Sequence, residues 1–299
     1  MALSALASIP YIHIPALGPI QPFGVLVAIG VLVGAHLLRK YGEWHGIHDD
    51  HIRGVTMWVI VSGFIGAHVF DVLAYQWSEF MEDPLLIVKI WAGISSYGGF
   101  IGGLTGLAVY IWWKRLPPML VTDTCTVGLL AAFSIGRIGC AIVGDHMGRN
   151  SDFFLAQTWP SAVNKSGEPI AWVTRHNLGI YELMYLIVVC AIVLPIAFRK
   201  SKRMPAGFIA VLVGAMYAPV RFFLDYLRPD STDPRYLSLT FAQWASIVAF
   251  SVAVIAAIRV LRYGKPAPVG ADVVARPDAA KVLKEVMASE TKTATSSKK

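Results

Sequence analysis

Long apolar stretches recur along this chain, separated by short polar connections. Seven of them, 22–38, 54–75, 95–113, 119–143, 179–198, 206–226 and 239–261, come close to the length a helix needs to cross a bilayer, about 20 residues. None alternates polar and apolar positions as barrel strands do, so each predicts a helix that satisfies its own backbone hydrogen bonds. The expectation is an all-α, polytopic membrane domain over residues 1–263. From Gly264 the pattern dissolves into Ala, Pro, Ser, Thr and Lys, which predicts a flexible cytosolic tail over 264–299, with 278–288 as its one helix-prone stretch. The longest connection, about 145–177, reads as a polar, turn-rich loop.

Composition agrees. Of 299 residues, 56% are hydrophobic and 15% charged, with a mean hydropathy of +0.57. Soluble domains carry roughly 25% charge, so an ordinary cytosolic or nucleic-acid-binding protein is excluded. The net charge of +7 is then a matter of membrane sidedness. Arg39, Lys40, Arg53, Lys114, Arg115, Arg199, Lys200, Lys202, Arg203, Arg259, Arg262 and Lys265 fall on one side. Lys89, Arg149, Lys165, Arg175, Arg228 and Arg235 fall on the other. The positive-inside rule predicts the N-terminus outside and the C-terminus in the cytoplasm. The opening residues lack a basic n-region and are broken by Pro10 and Pro15, so they do not read as a cleaved signal peptide. Cys125, Cys140 and Cys190 have no disulfide or zinc spacing, and no metal or cofactor is expected.

Ionisable groups inside spans cost roughly 2.5–3.5 kcal/mol on insertion scales, so each one needs a reason. Arg221 and Asp225 are four apart on one helix face and can pair, with Arg228 continuing that face. Arg137 has no acid three or four residues away and must find its partner elsewhere. Both arginines suit an anionic headgroup, because guanidinium binds phosphate through paired donors. His68 and Asp71, three apart, are either a packing pair or a proton-handling pair. Asp123 reads as an interfacial or capping residue, Glu182 as another acid within a span, and Cys140 as a packing residue. Gly98/Gly102 and Gly99/Gly103 are four apart, the spacing that lets helices approach closely.

Four ordered stretches carry a resemblance. Gly136-Arg137-Ile138-Gly139-Cys140-Ala141-Ile142-Val143-Gly144-Asp145-His146-Met147-Gly148-Arg149 resembles the signature G-R-x-G-N-F-x-N-G-E-x-W-G-R of the bacterial prolipoprotein diacylglyceryl transferases. Ser96-Tyr97-Gly98-Gly99 is similar to their S-x-H-G-G, and Arg175 to Glu182 to R-H-P-S-Q-L-Y-E. Tyr217 to Asp230 is similar to Y-G-x-x-R-F-x-x-E-x-x-R-x-P-D. The resemblance as a whole covers about residues 15–262. The departures are Tyr97 for the family's His, Cys140 and Val143 for its asparagines, Phe23 for a Tyr, His68 for an Arg, and Asp145 and Asp225 for Glu.

The resemblance implies transfer of a diacylglyceryl group from phosphatidylglycerol to the lipobox cysteine of a prolipoprotein signal peptide, in the bacterial inner membrane. It implies catalytic parts for Tyr97 and Arg221, and substrate contacts from Arg137, Gly98, Gly99, Asp145, Gly148, Glu182 and Asp225; His146, within the signature, is a further catalytic candidate. Tyrosine is a poor base near neutrality, so His146 or His68 is expected to replace the lost histidine. The alternatives are a phospholipid-binding relative without catalysis and a transferase with another acceptor.

Overall fold

The computed structural model describes residues 12–14, 18–20, 22–89, 93, 95–163, 169–199, 204–230 and 235–270. The elements are β1 (Ile12–Ile14), β2 (Gly18–Ile20), α1 (Pro22–Trp44), α2 (Asp49–Tyr75), α3 (Trp77–Glu82), a 3-10 turn (Pro84–Val88), α4 (Ser96–Lys114) and α5 (Pro118–Val143). They continue with β3 (Met147–Asn150), β4 (Gln157–Val163), β5 (Pro169–Asn177), α6 (Leu178–Ala197), α7 (Phe208–Leu224), β6 (Arg235–Tyr236), β7 (Leu239–Thr240) and α8 (Phe241–Tyr263).

Six helical segments among the described residues are long and apolar enough to cross a membrane: α1, α2, α5, α6, α7 with the turn that follows it to Leu227, and α8. Leu32, Phe64, Val248 and Leu261 on these helices are more than half exposed, as residues facing lipid are. The expected third span forms α4, 19 residues long, but its five glycines keep it less apolar than the six. The tail beyond residue 270, including 278–288, lies outside the described residues, as do the opening residues 1–11 and Lys165, Lys200, Lys202 and Arg203.

The all-α expectation is corrected at the 145–177 connection, which is not an irregular loop. It folds into an antiparallel sheet in the order β3-β5-β4, with Trp159 opposite Val173 and Thr158 opposite Thr174. Trp159, Trp172, Val173 and Thr174 are β-formers, and Thr158 and Thr174 join by a 3.0 Å hydroxyl hydrogen bond. Two short hairpins, β1-β2 and β6-β7, add to it.

The chain divides into two compact units. One, which among the described residues takes in 39–121 and 268–270, is organised by α2 against α4. A Cβ on Gly102 would meet the Ser62 carbonyl oxygen and lie 2.9 Å from the Gly66 Cα, so the two backbones touch only because these positions lack side chains. His68 and Asp71 do not pair: the imidazole faces the Gly93 and Leu86 carbonyls at 3.0 and 3.2 Å, while Asp71 accepts from Gln76 at 2.6 Å.

The other unit takes in, among the described residues, those from 12 to 38 and from 122 to 267. Here α1 meets α5 through Gly34 and Gly128, and Tyr185 on α6 donates to the Met216 carbonyl on α7 at 2.8 Å. Asp123 is a cap, but for a different helix. Its fully buried carboxylate accepts from the backbone N–H of Gly207 (2.7 Å) and of Ala210 (2.8 Å), so α5 closes the N-terminus of α7. Asp123→Ala is expected to cost about 2 kcal/mol of stability, read as a lower unfolding midpoint in detergent. Asp123→Asn should retain part of it.

Candidate functional site

Successive antiparallel helices bring the end of α5, the start of α6, the end of α7 and the start of α8 together at one end of the second unit. Most of the ionisable residues expected within spans converge there. Arg137 finds its partner on α6: its Nη2 lies 3.0 Å from Glu182 Oε2, and both side chains are buried. Its guanidinium carbon sits 4.7 Å over the Phe133 ring, and its Nε is buried with no hydrogen-bond partner. The Tyr217 hydroxyl donates to Glu182 Oε1, so one carboxylate ties α5, α6 and α7 together.

Asp225 does the same one turn further on. It is fully buried and takes Arg221 Nη1 and Arg228 Nε on Oδ1, both at 3.0 Å. Its other oxygen accepts from the Thr240 hydroxyl. Thr240 is also the N-cap of α8 in a capping box with Gln243 (3.2 and 3.0 Å), so the ion cluster is pinned to a helix end. The expected pair is therefore a triad of two arginines and one acid, closed by a threonine.

The signature segment turns back on itself at the end of α5. Gly144 has φ +71°, a conformation that favours glycine, and its N–H bonds the Cys140 carbonyl at 2.9 Å. The turn folds Asp145 and His146 over Cys140, so that a carboxylate oxygen, an imidazole nitrogen and the thiol sulfur all lie within 4.8 Å of one another. Arg137 Nη1 is 3.6 Å from Cys140 Sγ. Cys140 is buried, as a packing residue is. The spacing 140, 145, 146 has no helical or strand period, and only the left-handed turn makes the three meet.

Burial pushes the His146 imidazole down to about 3, and the charges of Arg137, Arg228 and Arg221 push the same way. It stays neutral near pH 7 and keeps an unprotonated ring nitrogen. Burial raises the Asp145 carboxyl, while the Cys140 thiol and the charges of Arg137 and Arg228 pull it back. Gly148 has no room for a side chain, because a Cβ would lie 2.8 Å from His176 Cβ and from the Leu227 carbonyl oxygen. Asn177, also buried, caps α6 at Ile180 and donates to the Ala141 carbonyl (3.0 Å) and to Gln157 (2.8 Å), holding the sheet to the end of α5.

Tyr97, Gly98 and Gly99 belong to the other unit, on the first turn of α4. There Gly98 packs against Gly66, Ala67 and Phe70, and Gly99 faces Ala67. Sequence reasoning gave no part to Tyr217 or Thr240. The four-residue step from Tyr217 to Arg221, one helix face, is the signal that would have found the first.

What these features define is a multi-pass helical membrane protein that gathers Arg137, Arg221 and Arg228 at one end, suited to an anionic group. The model of the family described as prolipoprotein diacylglyceryl transferase matches residues 11–259, and the chain belongs to that family. A phosphatidylglycerol–prolipoprotein diacylglyceryl transferase of Lactobacillus gasseri is 32% identical over 254 residues, covering 80% of this chain and 86% of its own. Proteins of the same name from Staphylococcus haemolyticus (30% over 221 residues, 72% and 76% covered) and Nostoc sp. (26% over 224, 72% and 77%) are similar too.

Asp225→Asn leaves two partly buried arginines facing a buried neutral amide. Breaking such a pair costs about 3–5 kcal/mol, so a marked fall in unfolding midpoint is expected, larger than that of the exposed-pair control Asp83→Asn, which lies in the other unit.

Proposed function

We propose that this chain transfers the diacylglyceryl group of phosphatidylglycerol to the lipobox cysteine of a prolipoprotein, in the bacterial cytoplasmic (inner) membrane. The acceptor thiolate attacks the glyceryl carbon, the carbon–oxygen bond to phosphate breaks, and glycerol phosphate leaves with the electron pair. The departing phosphate needs fixed positive charge beside it. The observation that carries the reading is the buried Arg137, held on one side by Glu182 while its Nε remains without a partner. Arg137 and Arg221 take the phosphate, with Glu182 and Asp225 orienting them. Asp145 and His146 serve the acceptor thiol, whose ordinary pKa of about 8.5 leaves it mostly protonated. On the resemblance alone, Tyr97 donates a hydrogen bond to a phosphate oxygen, Gly98 and Gly99 line the lipid, and Gly148 keeps the backbone close.

We infer seven crossings, α4 being the third, with the N-terminus outside and the C-terminus in the cytoplasm. The balance of basic residues supports this, and with that orientation the arginine site would face the outer side. One observation favours a second reading, a phospholipid-binding relative without catalysis: Tyr97 stands where the family has its histidine.

The test is transfer in phosphatidylglycerol vesicles to a lipobox peptide, with the thioether detected by mass spectrometry. Product is expected from the native chain, and at least about a hundredfold less from Arg221→Ala, the scale of losing a preorganised charge partner. His146→Ala should also fall, and His68→Ala should not. No product while phosphatidylglycerol still binds would establish the second reading.

A further inference from the structure

Outside the arginine cluster, the sheet that follows α5 carries donors that the fold leaves unused. Opposite residues of an antiparallel pair share a face, and so do residues two apart along a strand. Gln157 is opposite Arg175 and Trp159 is opposite Val173, so these four share a face with Asn177. That face looks onto the end of α5: Asn177 donates to the Ala141 carbonyl at 3.0 Å, and a Cβ on Gly144 would run into the Trp159 ring. Two donors on it are buried with no hydrogen-bond partner, Trp159 Nε1 and Arg175 Nε. Arg137, Arg149, Arg221 and Arg228 each face a carboxylate. Among the described residues, none pairs with the Arg175 guanidinium.

We propose that Trp159 and Arg175 hold the stretch of acceptor polypeptide that follows the lipobox cysteine, Trp159 Nε1 donating to a backbone carbonyl and Arg175 pairing with an acidic side chain within roughly four residues of the cysteine. The inference rests on the transferase reading and makes these two residues part of its acceptor specificity.

The chemistry of the face selects this ligand. Indole N–H and guanidinium only donate, so the ligand must bring acceptors, and an unanswered cation favours one with negative charge. Trp159 and Arg175 are diagonal neighbours across the two strands, about 7–8 Å apart. An extended chain, at about 3.3 Å per residue, presents a carbonyl to one and a side chain to the other. Trp159 covers the turn that carries Asp145 and His146, the residues assigned to the acceptor thiol, so a chain leaving that thiol passes it. The other polar groups of β5 are already engaged. Asn177 donates to Gln157 at 2.8 Å on the same face, and on the opposite face Thr174 bonds Thr158 and His176 bonds Tyr181, at 3.0 and 2.8 Å.

The test is binding of labelled lipobox peptides to the full chain in phosphatidylglycerol nanodiscs, read by fluorescence anisotropy. The peptides carry Ser for the lipobox Cys, so no transfer intervenes. One ends at that position, one runs on through a short Asp-containing stretch, and one has Lys in place of each Asp. The Asp peptide is expected to bind about tenfold more tightly than the other two, the scale of one charge-assisted hydrogen bond. Arg175→Gln should remove the preference for Asp over Lys. Trp159→Phe keeps a ring and loses the donor, and should weaken the Asp peptide about threefold or more. Both variants should bind the short peptide as the native chain does. Equal binding of the Asp and Lys peptides by the native chain overturns the proposal, as do variants that weaken the short and long peptides alike. Arg175→Gln that weakens phosphatidylglycerol binding and keeps the preference for Asp also overturns it, because the cation then serves the lipid. Failure of the transferase reading shows separately, as absence of thioether from the Cys-containing peptides while the preference for Asp persists.

Discussion

A guanidinium within an apolar helix bundle stays charged only if something answers its charge, and here two carboxylates do so. Glu182 holds Arg137 and accepts from Tyr217, while Asp225 holds Arg221 and Arg228 and accepts from Thr240. Such pairs contribute little net stability over an apolar core of the same volume, whereas losing one partner is costly. Their effect is on geometry. They bring α5, α6, α7 and the start of α8 to one place and aim cationic donors at one point. The capping box at Thr240 and the Asn177 bonds to Ala141 and Gln157 fix the ends of the elements that carry them.

The same arrangement lets one small site do two jobs. Phosphate departure calls for positive charge, and thiol activation calls for a way to remove a proton, which nearby arginines favour by stabilising a thiolate. The neutral imidazole of His146 among three arginines is consistent with a site built to hold anions.

Much of this was legible in the sequence because spans and buried charges announce themselves. Apolar runs gave the helices to within a few residues, except that span two starts earlier, at Asp49, and span one runs on to Trp44. The pairing of Arg221 with Asp225 follows from helical spacing, and the lack of a local acid near Arg137 correctly demanded a partner on another helix. Contacts between distant segments were not legible. Nothing in the spacing says that Asp123 caps α7, that Tyr217 reaches Glu182, or that Gly144 folds Asp145 and His146 onto Cys140. The sheet at 147–177 was missed because turn residues and broken registers, as at Pro160–Ala162, hide its alternation.

The central proposal is that Glu182 bears on the reaction through the Arg137 it holds. The most direct measurement is a double-mutant cycle on the rate of thioether formation with Arg137→Lys, Glu182→Gln and both together. The account predicts that both singles are slow and that the double mutant is no slower than Arg137→Lys alone. Losses that multiply in the double mutant would contradict it, because Glu182 would then act on the reaction independently of the arginine.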